Sequence, residues 1–150
     1  MTNDPTSENA ATGDAGSEVE RLLTQLVSLI HDEVSEFSGS WDGFNVAFTF
    51  AAGLEGTALQ QVDPIFYVES GAFTHGVFSR SRLEDAAVAY INARAGKKFD
   101  LAMLFVMFTK TQGDVVARVF WEQDAVPLLI TPDSWASVAQ AANPYREKKV

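Results

Sequence analysis

The spacing of apolar residues changes period near residue 40, and this change constrains the fold more than any other feature of the chain. Before it, Val19, Leu22, Leu23, Leu26, Val27, Ile30, Val34 and Phe37 recur at steps of mostly three and four, which places them on one face of an α-helix. After it, Phe44, Val46, Phe48 and Phe50 alternate with Asn45, Ala47 and Thr49, the two-residue period of a strand with one buried face. A chain that passes directly from an amphipathic helix to an alternating strand must pack helix on sheet.

The helix has its own start and stop signals. Ser17 and Glu20 form an S-x-x-E capping box, in which hydroxyl and carboxylate each satisfy a backbone N–H at the helix start. The spacing predicts a helix over about 18–37, closed near Gly39. Residues 1–16 contain no large apolar residue after Met1. Such a segment cannot recover its conformational entropy by burial and is read as a disordered acidic tail. The domain is therefore expected over 17–145, followed by a short basic tail at 146–150.

The remaining elements follow from turn chemistry. Gly53 to Gly56 is a turn signal, and Leu59 to Val68 supplies a second strand in which Pro64 marks an edge or a bulge. Gly71 and Gly76 flank a third extended piece, Phe73 to Phe78. A second S-x-x-E box, Ser81 and Glu84, precedes Leu83, Ala86, Ala87, Tyr90 and Ile91 at helical spacing, with Gly96 placed to end the helix. Leu101–Thr109 and Val115–Trp121 are β-rich runs joined through Thr111-Gln112-Gly113-Asp114, a hairpin. The first run is apolar on both faces, which places it centrally in the sheet. Thr131 as N-cap and Pro132 as first helical residue announce a last helix through Trp135, Val138, Ala139 and Ala142, which stops before Asn143-Pro144. The expected class is α+β: an antiparallel sheet of about five strands with helices packed on it, in the order α-β-β-β-α-β-β-α.

Composition narrows the function classes. At 150 residues the chain is one domain's worth, able to bury roughly two-thirds of its unfolded surface without a staple. It has no cysteine, which excludes a disulfide framework, a zinc–thiolate site and a thiol nucleophile, and makes a reducing cytoplasm the expected compartment. No run approaches the ~20 apolar residues of a spanning helix, and the N-terminus has no basic start or apolar core of a secretory signal, so neither membrane nor export is expected. The net charge of −9 opposes direct binding of nucleic acid, since an acidic surface repels phosphate and releases no counterions. It suits a basic protein partner. Residues 1–36 alone carry eight carboxylates against Arg21.

A search for reaction chemistry nominates no catalytic, cofactor-binding or metal-binding residues. The two histidines, His31 and His75, are not at a ligand spacing, and zinc would need further donors that the sequence does not cluster with them. There is no G-x-S-x-G element, and Ala95-Gly96-Lys97-Lys98 reads as a helix C-terminus with cations that suit its dipole. No pair of carboxylates is singled out for acid–base work. The features that remain suit recognition. Phe37, Trp41, Phe73, Phe78, Trp121 and Trp135 are of the type enriched at interfaces. Trp41 and Asp42 follow closely on Asp32, Glu33 and Glu36, so the helix end and the entry to the first strand form a candidate acidic, aromatic patch. Charge there would set the on-rate for a basic partner and the aromatic ring its residence time.

The succession of an N-terminal amphipathic helix, Trp41 leading into an aromatic-rich hairpin, a middle helix, the hairpin from Phe99 to Trp121 and a closing helix resembles the YezG-like antitoxin or immunity proteins over about 18–140. That resemblance implies a small cytoplasmic protein that neutralises a toxin, often a nuclease, by binding it. The same element order and acidic character are similar to the type III secretion chaperones and their YbjN-like relatives, which dimerise and bind extended client segments. Both imply a non-catalytic protein-binding domain, and whether it is a monomer or a homodimer stays open. An immunity-type inhibitor of a basic toxin is the first expectation, a chaperone-like adaptor the second, and a small-molecule-binding domain the third.

Overall fold

The computed structural model of the chain describes the backbone of residues 7–145. Helix α1 spans Ser7–Val34, strands β1 Gly43–Gly53, β2 Gly56–Tyr67 and β3 Phe73–His75 follow, helix α2 spans Arg80–Ala95, strands β4 Leu101–Thr109 and β5 Val115–Trp121 form a hairpin, and helix α3 spans Trp135–Ala141. Two short 3-10 turns, Glu122–Asp124 and Val126–Leu128, which carry no apolar periodicity, lie between β5 and α3. The class is α+β, in the order α-β-β-β-α-β-β-α. The five strands form one antiparallel sheet in the order β3-β2-β1-β4-β5. Among the described residues no helix is long and apolar enough to cross a membrane.

Helix α1 differs from expectation at both ends. Its backbone is helical from Ser7, so Ser17 and Glu20 lie within the helix and do not cap it. Residues 1–6 of the expected tail and the basic tail at 146–150 lie outside the described residues. At the other end the helix stops at Val34, because Phe37 turns away to stack on Phe66 at 3.8 Å with 9° between the rings. A Cβ at Gly39 would stand 2.8 Å from the Phe37 ring, so the chain needs a glycine to pass behind it.

The two faces of the sheet carry separate cores. Helices α1 and α2 cover one face with Leu22, Leu26, Ile30, Leu83, Tyr90 and Ile91, packed on Phe44, Val46, Phe48 and Phe50 of β1 and Ala102, Leu104 and Val106 of β4. The C-terminal segment covers the other face, where Ala125, Ile130 and Val138 meet Ala47, Met103 and Phe105, and Ala139 and Tyr145 meet Ile65 and Tyr67. This corrects the expectation that β1 buries one face. Asn45, Ala47 and Thr49 are buried as fully as the phenylalanines beside them, because β1 lies mid-sheet with α3 over its polar side. Strand β4 is central as its two apolar faces indicated, between β1 and β5.

Two expected features have different geometry from that foreseen. Pro64 lies opposite Val46, its carbonyl accepts from Gly76 N–H at 2.8 Å, and its missing N–H therefore falls where the short edge strand β3 ends. The register shift between β1 and β2 is at Thr49/Phe50, several residues away. Thr131 and Ser134 bond reciprocally, Ser134 N–H to Thr131 Oγ1 at 3.1 Å and Thr131 N–H to Ser134 Oγ at 2.9 Å. This is capping-box geometry, and it leads by one turn into α3.

Candidate functional site

The expected acidic, aromatic patch divides into three parts. Glu33 faces inward. Its carboxylate accepts from Arg82 Nη1 at 2.7 Å and from Ser79 N–H at 2.6 Å, so a residue of α1 caps the start of α2. The second S-x-x-E box is consequently unused, since α2 begins at Arg80 behind Ser79 with no side-chain cap of its own. Glu36 is exposed and lies 3.5 Å from the same Arg82 guanidinium. Asp32 is exposed, and its carbonyl accepts from Ser35 Oγ at 2.7 Å.

Trp41 and Asp42 belong to the end of the sheet. Asp42 extends the ladder on both sides of β1, its N–H bonding Tyr67 O at 2.7 Å and its carbonyl accepting from Lys110 N–H at 2.8 Å. Its side chain accepts from Glu69 N–H at 2.8 Å. Trp41 is half-buried, edge-on to Phe44 at 5.6 Å and to Phe108 at 6.2 Å, and Lys110 Nζ lies over its ring at 4.4 Å. A cation that close to an indole face is attracted by the ring quadrupole. The aromatic element of the patch is thus paired with a cation of the chain itself, and Glu33 is committed to the fold.

What the structure builds at this end is a groove of about 510 Å³ between α1 and the sheet. Val27, His31, Val34 and Ser35 form its helical wall, Phe37 and Trp41 its end, and Phe44, Phe108, Lys110 and Val115 its floor and far wall. The walls are mainly apolar, and the polar groups His31, Ser35 and Lys110 are exposed. Sequence reasoning found Trp41 but missed Lys110 and Val115, which are distant in the chain and brought in only by the pairing of β4 with β1 and of β5 with β4. Of the other aromatic candidates, Phe78 is buried, while Phe73, Trp121 and Trp135 are half-buried against neighbours.

The opposite face holds two smaller polar sites. Asp63, buried on β2, bonds His75 Nε2 at 3.0 Å and Gln61 Nε2 at 2.6 Å, and Gln61 also reaches Ile130 O at 2.9 Å. His75 stands edge-on to Trp135 at 5.4 Å. These residues line a cleft of about 410 Å³ with Thr131 and Pro132. The cleft has an oriented imidazole but no cysteine or serine in its walls. Beside it, Tyr67 donates to Ala139 O at 2.8 Å. Burial pushes this hydroxyl well above the usual phenol range, and the nearby Asn45 side chain opposes part of the rise. Tyr145 is shifted upward as well, by burial and by the charges of Asp42 and Glu69.

Among the described residues no group of three or more His, Asp or Glu side chains is placed to hold a metal. Comparison of the chain with protein-family models, with curated proteins and with solved structures finds no match.

Proposed function

We propose that this chain is a non-catalytic protein-binding domain that seats an apolar segment of a basic partner in the groove between α1 and the sheet. The observation that carries the reading is the groove itself. Trp41, Phe37, Phe44 and Phe108 converge from the helix–strand connection, β1 and β4 on one concave, mainly apolar surface. Aromatic residues in partly desolvated pockets are where binding energy concentrates in protein interfaces. The net charge of −9 and the exposed carboxylates of Asp32 and Glu36 on the helix that forms one wall favour a basic partner.

An apolar groove suits an adaptor that holds a client segment, in the manner of the chaperone-like proteins the element order resembles. The second reading is the immunity-type inhibitor of a basic toxin. It is favoured by the remaining exposed carboxylates, which would complement a cationic nucleic-acid-binding face.

The experiment uses two variants of the tagged chain and the cells it comes from. Ser35 is exposed on the groove wall, so Ser35→Trp fills the groove at little cost to the fold. Val126, 54% exposed in the second 3-10 turn, supplies Val126→Asp as a control away from it. A partner held by the parent and by Val126→Asp but lost from Ser35→Trp supports the groove. Retention by Ser35→Trp overturns it. One basic toxin domain captured at equal stoichiometry points to the inhibitor, and several clients carrying related apolar segments point to the adaptor.

A further inference from the structure

Strand β5 is an edge of the sheet. Its seven residues pair with β4 on one side, and among the described residues no strand lies on the other. The register shows which of its backbone groups are left over. Lys110 N–H bonds Asp42 O, and Ala52 N–H bonds Asp100 O, so the even-numbered residues of β4 turn their backbone groups toward β1 and the odd-numbered ones, Met103, Phe105 and Met107, toward β5. Their partners Phe120, Arg118 and Val116 are thereby bonded. The N–H and C=O groups of Val115, Ala117 and Val119 point away from the sheet, a row of unpaired donors and acceptors of the kind that templates another strand.

The side chains along this edge differ between the two faces. Val115, Ala117, Val119 and Trp121 are half-buried against the core under α1 and α2, as are Val19, Leu23 and Val27, which follow one another at steps of four on α1. Val27 and Val115 both line the groove, so edge and groove are continuous. On the other face the middle of the strand is Arg118, exposed, with its guanidinium 5.5 Å from the Phe120 ring centre. Arg21, Arg80, Arg82 and Arg94 each bond an oxygen of the chain. Arg118 has neither a hydrogen bond nor an ion pair among the described residues. In a chain of net charge −9, a lone arginine at the centre of an open edge calls for a carboxylate from outside.

We propose that β5 takes a sixth strand: an extended segment of a partner protein, antiparallel to β5, with apolar side chains toward α1 and a carboxylate opposite Arg118. Such pairing puts Arg118 in a non-hydrogen-bonded pair with its new neighbour, the kind in which opposed side chains stand closest, with about 4.5 Å between Cα atoms. An aspartate or glutamate there meets the guanidinium directly, and a lysine or arginine is repelled. The same rule disfavours a second copy of this chain, since antiparallel pairing of two β5 strands over their full length sets Arg118 against Arg118. The other edge, β3, has three residues and offers a partner less backbone. Strand addition goes beyond the groove reading by giving the bound segment a conformation and one of its residues a charge, and it rests on β5 alone.

The probe is a synthetic nine-residue peptide, capped at both ends, that alternates threonine with valine and has a glutamate at its centre, so that it reads the same in both directions. A second peptide carries lysine in place of the glutamate. Each is titrated into the full chain, with hydrogen exchange followed residue by residue by NMR. The glutamate peptide is expected to slow exchange at the outward N–H groups of Val115, Ala117 and Val119, and to change far less those of Val116, Arg118 and Phe120, already bonded to β4. It should bind about threefold more tightly than the lysine peptide or better, the scale of a cross-strand charge pair, and Arg118→Glu, a change at an exposed side chain, should reverse the order. Ser35→Trp should bind the peptide as the parent does, which separates this edge from the groove, whose own test is loss of the partner from that variant. Failure of both peptides to bind, protection without the alternation, or an unchanged order in Arg118→Glu overturns the proposal. So does loss of the peptide from Ser35→Trp, which places it in the groove, and so does a free chain that sediments as a dimer with Val115, Ala117 and Val119 already protected.

Discussion

Glu33 of α1 holds Arg82 of α2 at 2.7 Å while only 5% of the Glu33 side chain is exposed against 50% of that of Arg82. The pair is asymmetric. Removing Glu33 frees an arginine that can return to water, but it also leaves the Ser79 N–H without its acceptor. Glu33→Ala is expected to lose about 1.5–3 kcal/mol of unfolding free energy, the range for hydrogen bonds to a charged group. Glu36→Ala, which removes a 65% exposed partner of the same arginine, should cost less than about 1 kcal/mol. Urea denaturation of the two variants checks this, and equal midpoints would remove Glu33 from its capping role.

Tyr67→Phe deletes a buried hydroxyl that donates to Ala139 O and should cost about 1 kcal/mol near neutral pH. Its pH dependence has a definite sign. The folded Tyr67 hydroxyl has a pKa raised above the ordinary value of 10.0, first by burial, so its stability contribution is fully present below pH 10 and is lost as the pH rises beyond it. The parent should therefore lose stability above pH 10 more steeply than Tyr67→Phe. Some alkaline dependence should persist in the variant, because Tyr145 is shifted the same way. Thermal melts from pH 8 to 11 decide the matter, and parallel curves would contradict the assignment.

Leucines at two positions should respond very differently to truncation. Leu26 has no exposed surface and packs under α2 and the sheet, so Leu26→Ala should cost about 2–5 kcal/mol. Leu54, at the tip of the β1–β2 hairpin, is fully exposed, and Leu54→Ser should change stability by no more than about 0.5 kcal/mol. Comparable losses would mean that the hairpin tip is buried in an assembly.

His75 ties the edge strand to the sheet through Asp63, alongside the three residue pairs that join β3 to β2. His75→Ala leaves the buried Asp63 carboxylate bonded to Gln61 alone. The expected effect is local: hydrogen exchange should accelerate at Phe66 and Thr74, the pair whose N–H groups bond across β2 and β3, and remain unchanged in β1 and β4, whose opening requires wider unfolding. Unchanged exchange at β3 would show that backbone pairing suffices.

Much of the fold was legible because its cues are local. The helical spacing from Val19 to Val34, the alternation from Phe44 to Phe50 and the apolar run of β4 report which way side chains point along one element, and the element order follows from them. The same cues misplaced boundaries wherever a distant residue intervened. The Ser81–Glu84 box lost its role to Glu33, and Phe37 left its helix for Phe66.

The sequence by itself determined the class, the number of strands and the central place of β4, since these depend on periodicity and turn chemistry within short windows. Only the tertiary structure decided which residues meet: that Lys110 covers Trp41, that Glu33 is internal, that β1 is buried on both faces, and that Asn45 is enclosed in the middle of the sheet. The reason is physical. Periodicity within one element records an inward face but not its neighbour, and strand register and helix placement bring together groups dozens of residues apart whose pairing leaves no pattern along the chain.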